Sequence, residues 1–232
     1  MEKVARYTLL VIAFIAFFKN AKAQDAFSMS TTYMQDGAPK TAVKNEHYAE
    51  MDGSPYLYDD WAKGEAKLGD GKVYKNLYLK YDEIQGTVSF KYELTDTEMA
   101  FAVPAVEFTF TYIADNKVHN AHFLNGFDPV NGTNDYYQVL SNGSTKLLKR
   151  TVKKIVETKE FSTPTINRRV EETTTYYIAK GKKLEKVRND NKSVFTALND
   201  KADKLKQYIA ENKLNVKNDE DFVKVVDYYN TL

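Results

Sequence analysis

Apolar and polar residues alternate along most of the chain between residues 64 and 188, and short turn sequences interrupt the alternation at regular intervals. In the segment TVSFKYEL, Val88, Phe90, Tyr92 and Leu94 face one way, and Ser89, Lys91 and Glu93 face the other. Successive side chains of a β-strand point to opposite faces, so this pattern predicts strands with one apolar face. Because the turns are short, neighbouring strands are expected to pair antiparallel. We expect a twisted antiparallel β-meander or half-barrel of about eight or nine strands.

The most specific turn signal is the pair Asn142-Gly143, which is favoured in two-residue type I′ hairpins because both residues accept positive φ. The segment that follows, residues 145–159, is locally basic. As a helix it would be typical of a membrane-surface segment, but the preceding turn favours the second strand of a hairpin. Its long cationic side chains would then protect a sheet edge from pairing with other chains.

Beyond Arg188 the spacing of apolar residues becomes helical. The first stripe predicts a helix over residues 193–211, capped by Asn191 or Ser193 and ended by Asn212. That stripe comprises Val194, Leu198, Ala202, Leu205 and Ile209.

A second helix is predicted to begin at the cap residue Asn218, because three acidic residues follow it and carboxylates are favourable near a helix N-terminus. The apolar stripe expected to pack on the sheet comprises Phe222, Val225, Val226 and Tyr229. The strands and the two C-terminal helices together predict an α+β fold.

The N-terminal residues have the features of a secretory signal peptide. Lys3 and Arg6 precede an uncharged apolar run over residues 8–18, and Ala21 and Ala23 supply the small residues of a cleavage site. The run is too short for a membrane span, which takes about 20 apolar residues. We therefore expect an exported protein, periplasmic or extracellular, with no transmembrane span after cleavage.

This interpretation divides the chain into a signal peptide (1–23), a flexible N-terminal arm (24–51) and a single α+β domain (52–232). Within the domain, residues 52–190 are expected to form the meander and residues 191–232 the helical end. Three N-x-S/T triplets begin at Asn131, Asn142 and Asn191, and they would carry glycans only in a host that glycosylates Asn.

Composition argues against several classes of function. The 33 basic and 32 acidic residues leave a formal net charge of +1, so no nucleic-acid partner is expected. The chain has no Cys and only three His, so most zinc sites and nucleophile–histidine sets lack parts. His119 and His122 fall in a predicted strand, where residues three apart face opposite sides. No phosphate-binding loop or dinucleotide motif occurs. We expect no metal and no cofactor.

The stretch GSPYLYDDW contains the only Trp of the chain and the candidate ligand-binding residues, which are Tyr56, Tyr58, Asp59, Asp60 and Trp61. In one interpretation the three rings form an aromatic platform beside two acidic groups. In the other, which we favour, the stretch leads the chain into its first hairpin and Trp61 is buried against the sheet. Adjacent residues of a strand face opposite sides, so Asp59 and Asp60 are poorly placed to share a ligand.

Three segments together are distinctive: GSPYLYDDWAKGEAKLGDGKVYKNLYLKYD, YYQVLSNGSTKLLKR and YIAENKLNVKNDEDFVKVVDYYNTL. With them the chain resembles an uncharacterised family of small exported proteins, bearing signal peptides, of Bacteroidota-type bacteria. That family has no assigned function. The resemblance implies export and a recurring architecture, and it carries over no catalytic or binding residue.

The sequence thus predicts a non-enzymatic binding or interaction protein of the cell envelope, whose partner is an unknown protein or a small apolar ligand. An aromatic-lined cavity above about 300 Å³ would favour the apolar ligand, and a filled interior would favour a protein partner. A hydrolytic enzyme using carboxylates such as Asp59, Asp60 or Glu65 is one alternative. A purely structural adaptor is the other.

Processing provides the first prediction. Small residues occupy both specificity positions before Gln24, so the precursor should be cleaved after Ala23. N-terminal sequencing of the exported protein should begin at Gln24 or at its cyclised form. A mature species that retains the apolar run would contradict this prediction.

Overall fold

The computed structural model describes residues 32–33, 39–42, 48, 50–128, 135–159 and 166–232, the first two ranges as backbone only. The predicted signal peptide, most of the predicted arm and Asn131 lie outside these residues. The described part consists of one open antiparallel sheet followed by three α-helices. No helix in the described ranges is long and apolar enough to cross a bilayer.

The sheet contains twelve strands, and ten of them lie between Ala62 and Val187, more than the eight or nine that we predicted. The strands are β1 (Thr32–Tyr33), β2 (Pro39–Ala42), β3 (Ala62–Leu68), β4 (Val73–Asp82), β5 (Thr87–Lys91), β6 (Met99–Phe101), β7 (Ala105–Ala114), β8 (Lys117–Leu124), β9 (Tyr137–Ser141), β10 (Thr145–Lys159), β11 (Ile166–Lys180) and β12 (Lys183–Val187). The helices are α1 (Asn191–Ala197), α2 (Ala202–Asn212) and α3 (Asp219–Thr231).

The strand order is β1-β2-β6-β5-β4-β3-β7-β8-β9-β10-β11-β12, which corrects the expectation of one continuous meander. On one side of β3, strands β4, β5 and β6 follow one another in chain order. On the other side of β3, strands β7 to β12 do the same. Gly64 of β3 permits this arrangement, because a Cβ there would overlap the carbonyl oxygen of Thr109 and would lie 2.8 Å from Cβ of Phe110 on β7. Only glycine allows so close an approach between the two strands.

The central strands roll around a core of aromatic side chains. The ring centroids of Tyr81 on β4 and Phe123 on β8 lie 4.8 Å apart, although β3 and β7 separate the two strands. Three strand spacings in a flat sheet would separate them by about 14 Å. Phe108 of β7 contacts both rings, at 5.3 Å and 4.8 Å. The sheet is therefore strongly curved, although it stays open and does not form a barrel.

A second core forms between the helices and strands β9 to β12. The predicted helical stripe is largely confirmed, since Val194, Leu198, Leu205 and Ile209 are buried in it. The helix that carries the stripe is not continuous, because a 3₁₀ turn over Asn199–Lys201 separates α1 from α2. Helix α1 packs against β12, whereas α2 packs against α1 and α3.

Helix ends are only partly as predicted. The cap of α1 is Asp190, whose side chain accepts a hydrogen bond from the backbone N–H of Ser193, so neither Asn191 nor Ser193 is the cap. Asn212 is the last residue of α2, and Asn218 caps α3, as predicted. The predicted buried face of α3 is also confirmed, and it comprises Phe222, Val225, Val226 and Tyr229.

The turn prediction at Asn142-Gly143 is wrong, because neither residue has positive φ and Ser141 pairs with Leu147 across a longer loop. The side chain of Asn230 on α3 holds this loop. Its Oδ1 accepts a hydrogen bond from the backbone N–H of Thr145 at 2.9 Å, and its Nδ2 donates to the Thr145 carbonyl oxygen at 2.8 Å. Tertiary contacts with the last helix thus replace the local turn.

Two consecutive positive φ angles, as in a type I′ turn, occur instead at Asp115 and Asn116, with values of 52° and 59°. These residues join β7 to β8, whose ladder continues up to the pair Ala114 and Lys117. Asp and Asn are the non-glycine residues that most readily adopt this conformation.

The basic segment 145–159 is a strand, as predicted, but it is an edge only in its outer part. Strand β10 pairs with β11 over all of its residues, whereas β9 pairs only with Leu147–Lys149. Beyond that point the other side of β10 makes one backbone hydrogen bond to a described residue, from the N–H of Lys153 to the carbonyl oxygen of Glu83 at 3.2 Å.

A buried ion pair reinforces this attachment of the long hairpin to the rolled core. Lys153 Nζ lies 3.0 Å from a carboxylate oxygen of Glu83, and the two side chains are only 12% and 3% exposed. The same ammonium group donates to the carbonyl oxygen of Tyr56 at 2.5 Å. Burial raises the pKa of Glu83, and the Lys153 charge opposes that rise.

The raised pKa of Glu83 fixes the sign of its contribution to stability. The folded state binds the proton more tightly than the unfolded state does, so this contribution is fully present below about pH 4.5 and is lost as pH rises through the folded pKa. The Lys153 charge limits that loss. Without Lys153, an unpaired carboxylate would remain buried at neutral pH.

We predict that Lys153→Met lowers the free energy of unfolding at pH 7 by about 3–5 kcal/mol, because it leaves the Glu83 charge unpaired. The deficit should shrink on acidification, as Glu83 becomes protonated. Chemical denaturation at pH 4, 5.5 and 7 measures both effects. The matched control is Lys154→Met, since that side chain is 65% exposed and pairs with Glu171 on the surface. Equal losses for the two variants would contradict the prediction.

The loop at Gly143 provides a second stability test. A Cβ there would lie 2.6 Å from Cγ of Asn230, so Gly143→Ala should destabilise the protein by about 1–3 kcal/mol. In an Asn230→Ala background the same change should have almost no further effect, and thermal melts of the four proteins complete the cycle. Gly69→Ala is the control, because its nearest neighbour would be 3.7 Å away. Additive effects of the two changes would contradict this account of the loop.

Candidate functional site

Residues 55–57 extend the sheet along the end of β4. The backbone N–H of Leu57 donates to the carbonyl oxygen of Tyr81 at 3.1 Å, and the N–H of Glu83 donates to the carbonyl oxygen of Pro55 at 2.9 Å. The chain thus runs beside β4 before β3 begins. This attachment fixes the backbone of the stretch that contains the candidate residues.

The register of β3 and β4 places Trp61 on the outer face of the sheet. Ala62 pairs with Leu79 and is buried in the core, so the preceding residue is directed to the opposite face, across from Lys80. Trp61 is in fact only partly buried, and the expectation that the sheet buries it is wrong. Trp61 is not buried because side chains alternate between the two faces of β3, and the neighbouring residue, Ala62, takes the inward position.

Two lysines lie over the aromatic rings at this face. The Nζ of Lys80 is 4.4 Å from the ring centroid of Tyr56 and 5.3 Å from that of Trp61. The Nζ of Lys91, on β5, is 4.8 Å from the centroid of Trp61. These distances are within the range of cation–π attraction. We call Tyr56, Trp61, Lys80 and Lys91 the Trp61 surface.

Burial and nearby carboxylates set the ionisation of this surface. Burial lowers the pKa of Lys80, and the charges of Glu98, Asp59 and Asp60 oppose the decrease. Burial, followed by the charge of Glu98, raises the pKa of Tyr56 to about 12. Tyr56 therefore remains a neutral phenol at physiological pH. The surface combines cationic and anionic groups around two rings.

The remaining candidates are directed elsewhere. The ring of Tyr58 packs against that of Tyr112 at the margin of the core, with centroids 4.9 Å apart. Asp59 accepts a hydrogen bond from the hydroxyl of Ser54, and Asp60 accepts one from the hydroxyl of Tyr58 at 3.5 Å. Asp59 and Asp60 are exposed. Tyr56 and Trp61 come together at Lys80, whereas Tyr58 does not join them.

Lys80 and Lys91 were missed by the sequence analysis. Each alternates with core residues of its strand, so its outward direction could be read from parity. Their meeting at Trp61 depends on the pairing of β3, β4 and β5, which the sequence does not reveal.

The two strand histidines make separate contacts, as predicted from their spacing. The Nε2 of His122 lies 2.8 Å from a carboxylate oxygen of Glu107, whereas the ring of His119 stacks on that of Tyr112. Among the residues that the structure describes, no three His, Asp or Glu side chains are grouped as metal ligands.

Comparisons with protein-family models, with curated proteins and with solved structures gave no match.

Because Trp61 is partly exposed, its removal should cost less than removal of a core ring. We predict that Trp61→Ala lowers the free energy of unfolding by about 1–2 kcal/mol, from lost contact area and cation–π attraction. Phe90→Ala, at a fully buried site, should cost about 3–5 kcal/mol. Urea denaturation of both variants measures the difference. A loss for Trp61→Ala as large as that for Phe90→Ala would show that Trp61 is a core residue.

Proposed function

We propose that this chain is an exported, non-enzymatic protein of the cell envelope that binds a protein partner through the Trp61 surface. The observation that carries the proposal is that the only Trp of the chain remains on the outer face of the sheet, beside Tyr56 and two lysines. Trp and Tyr are enriched among the residues that dominate binding energy in protein interfaces. The N-terminal pattern supports export.

The chemistry of the surface favours a protein over a sugar. The ammonium groups of Lys80 and Lys91 already lie over the rings, so a sugar ring that stacked on Trp61 would have to displace them. A carboxylate of a protein partner could pair with the same lysines without displacing them. The edge of Trp61 would then contribute apolar contact area.

Ring contacts within the described core also favour a protein partner over an apolar ligand. Phe90 stacks on Phe101 at 4.3 Å, and Phe108 stacks on Phe123 at 4.8 Å. These rings pack directly against one another. Close packing of the interior favours a protein partner over an apolar ligand, so the outer face of the sheet is the better candidate for the binding surface.

The carboxylates of the alternative hydrolytic function make separate contacts. Asp59 is bound by Ser54, Asp60 by Tyr58, and Glu65 lies 4.0 Å from the Nζ of Lys75. A general acid and base would need to converge on one bond. The observed contacts do not favour that function.

Site-specific photocrosslinking in the producing cells tests the proposal. A photoreactive amino acid in place of Asp60, which is exposed beside Trp61, should give a discrete adduct with an envelope protein. The same amino acid in place of Asp70, an exposed residue in the turn that follows β3, should not give that adduct.

Charge reversal provides the matched control. Lys91→Glu should abolish the adduct formed at residue 60, whereas Lys75→Glu should leave it unchanged, because Lys75 is an exposed lysine that does not contact Trp61. The proposal is wrong if residue 60 gives no adduct, or if both positions give the same adducts.

A further inference from the structure

We propose that a second site, in a cavity between β4, β10 and the start of β9, binds a small zwitterionic molecule of amino-acid size. The cavity has a volume of about 270 Å³. It lies on the core side of β4, away from the Trp61 surface, and the inference does not rest on the proposed function. Its lining includes Tyr81, Glu83, Asp135, Tyr136, Arg150 and Thr151.

The cavity occupies a gap in the hydrogen-bond ladder of β10. Strand β9 pairs with β10 up to Lys149, and the next attachment is the bond from Lys153 N–H to Glu83. Thr151 lies between Lys149 and Lys153 on β10. Because it is two positions from Lys153, its backbone groups point to the same side of the strand as those of Lys153. The N–H and carbonyl groups of Thr151 therefore face the gap. Continuing the register would place Tyr136 opposite Thr151, but β9 begins only at Tyr137.

Tyr81 provides a second polar group that its neighbours leave unused. It is 5% exposed and lines the cavity, and its hydroxyl makes no hydrogen bond with another described residue. The hydroxyl itself is not fully buried, so it is open to the cavity, where a ligand can accept its hydrogen bond in place of water. Burial raises the pKa of Tyr81, and the Glu83 charge adds to the rise. The hydroxyl is thus a donor at neutral pH.

The charges around the cavity are balanced. Arg150 lies 2.8 Å from the carboxylate of Asp135, and Glu83 is paired with Lys153. The two cations and two anions give no net charge, so a ligand that carried a single charge would remain uncompensated.

A dipolar ligand suits this arrangement better than an ion does. Its carboxylate could accept hydrogen bonds from Tyr81, from the N–H of Thr151 and from the unused N–H groups of Arg150. Its ammonium group could donate to the carbonyl oxygen of Thr151 and to Asp135. Free α-amino acids have both groups and a size that matches the cavity.

Isothermal titration of the mature protein with individual free L-amino acids tests the proposal. At least one should bind with a dissociation constant below about 1 mM, whereas sodium acetate, methylammonium chloride and glycerol should not bind at the same concentrations. Tyr81→Phe should weaken the binding about tenfold, because it removes one hydrogen bond and keeps the ring.

Tyr177→Phe is the matched control, because Tyr177 is 4% exposed and packs in a different cluster. It should leave the affinity unchanged, and thermal melts should show that both variants fold. The proposal is wrong if no amino acid binds, if acetate or methylammonium binds equally well, or if Tyr81→Phe binds as tightly as the wild type. A crystal structure grown with the best amino acid that shows only water in the cavity would also refute it.

Discussion

Tyr81 of β4 and Phe123 of β8 touch across two intervening strands, and the rest of the fold depends on the curvature that this contact requires. An antiparallel sheet with one apolar face must cover that face, and here the described helices pack over β9 to β12. The central strands therefore cover their own apolar face by rolling. The roll is possible because β3, at its centre, contributes small inward residues such as Ala62 and Ala66.

The same curvature separates the two surfaces that carry chemistry. The inward face is lined by rings, and an interruption in the ladder of β10 beside Tyr81 opens a polar cavity next to them. The outward face carries the lysines, which alternate with the core residues along β4 and β5. Trp61 follows the parity of the outward set, which places a large ring among cations rather than in the core.

Local patterns predicted the elements well and their assembly poorly. Period-two alternation identified the inward residues Val88 and Phe90 of β5, although the strand ends at Lys91 and Leu94 is exposed. The helical stripes identified the buried faces of the helices, because both patterns depend only on neighbouring residues. The pairing of β3 with β7 could not be predicted, since it joins strands separated by three others in the sequence. The position of Trp61 follows from the register with β4, and its lysine neighbours follow from the same pairing. The error at Asn142-Gly143 has a similar cause, because a side chain from the last helix overrides a local turn preference.

The bond between that loop and Asn230 has a consequence for the order of folding. The two partners, Thr145 and Asn230, are separated by 85 positions, so the loop cannot reach its final conformation until almost the whole chain has been made. At synthesis rates of roughly 5–20 residues per second, that interval lasts roughly 4–17 s. During this time strands β9 and β10 can pair, but the loop that joins them lacks its hydrogen bonds to Asn230. The second core is therefore completed last, after the rolled sheet has had time to form from residues already synthesised.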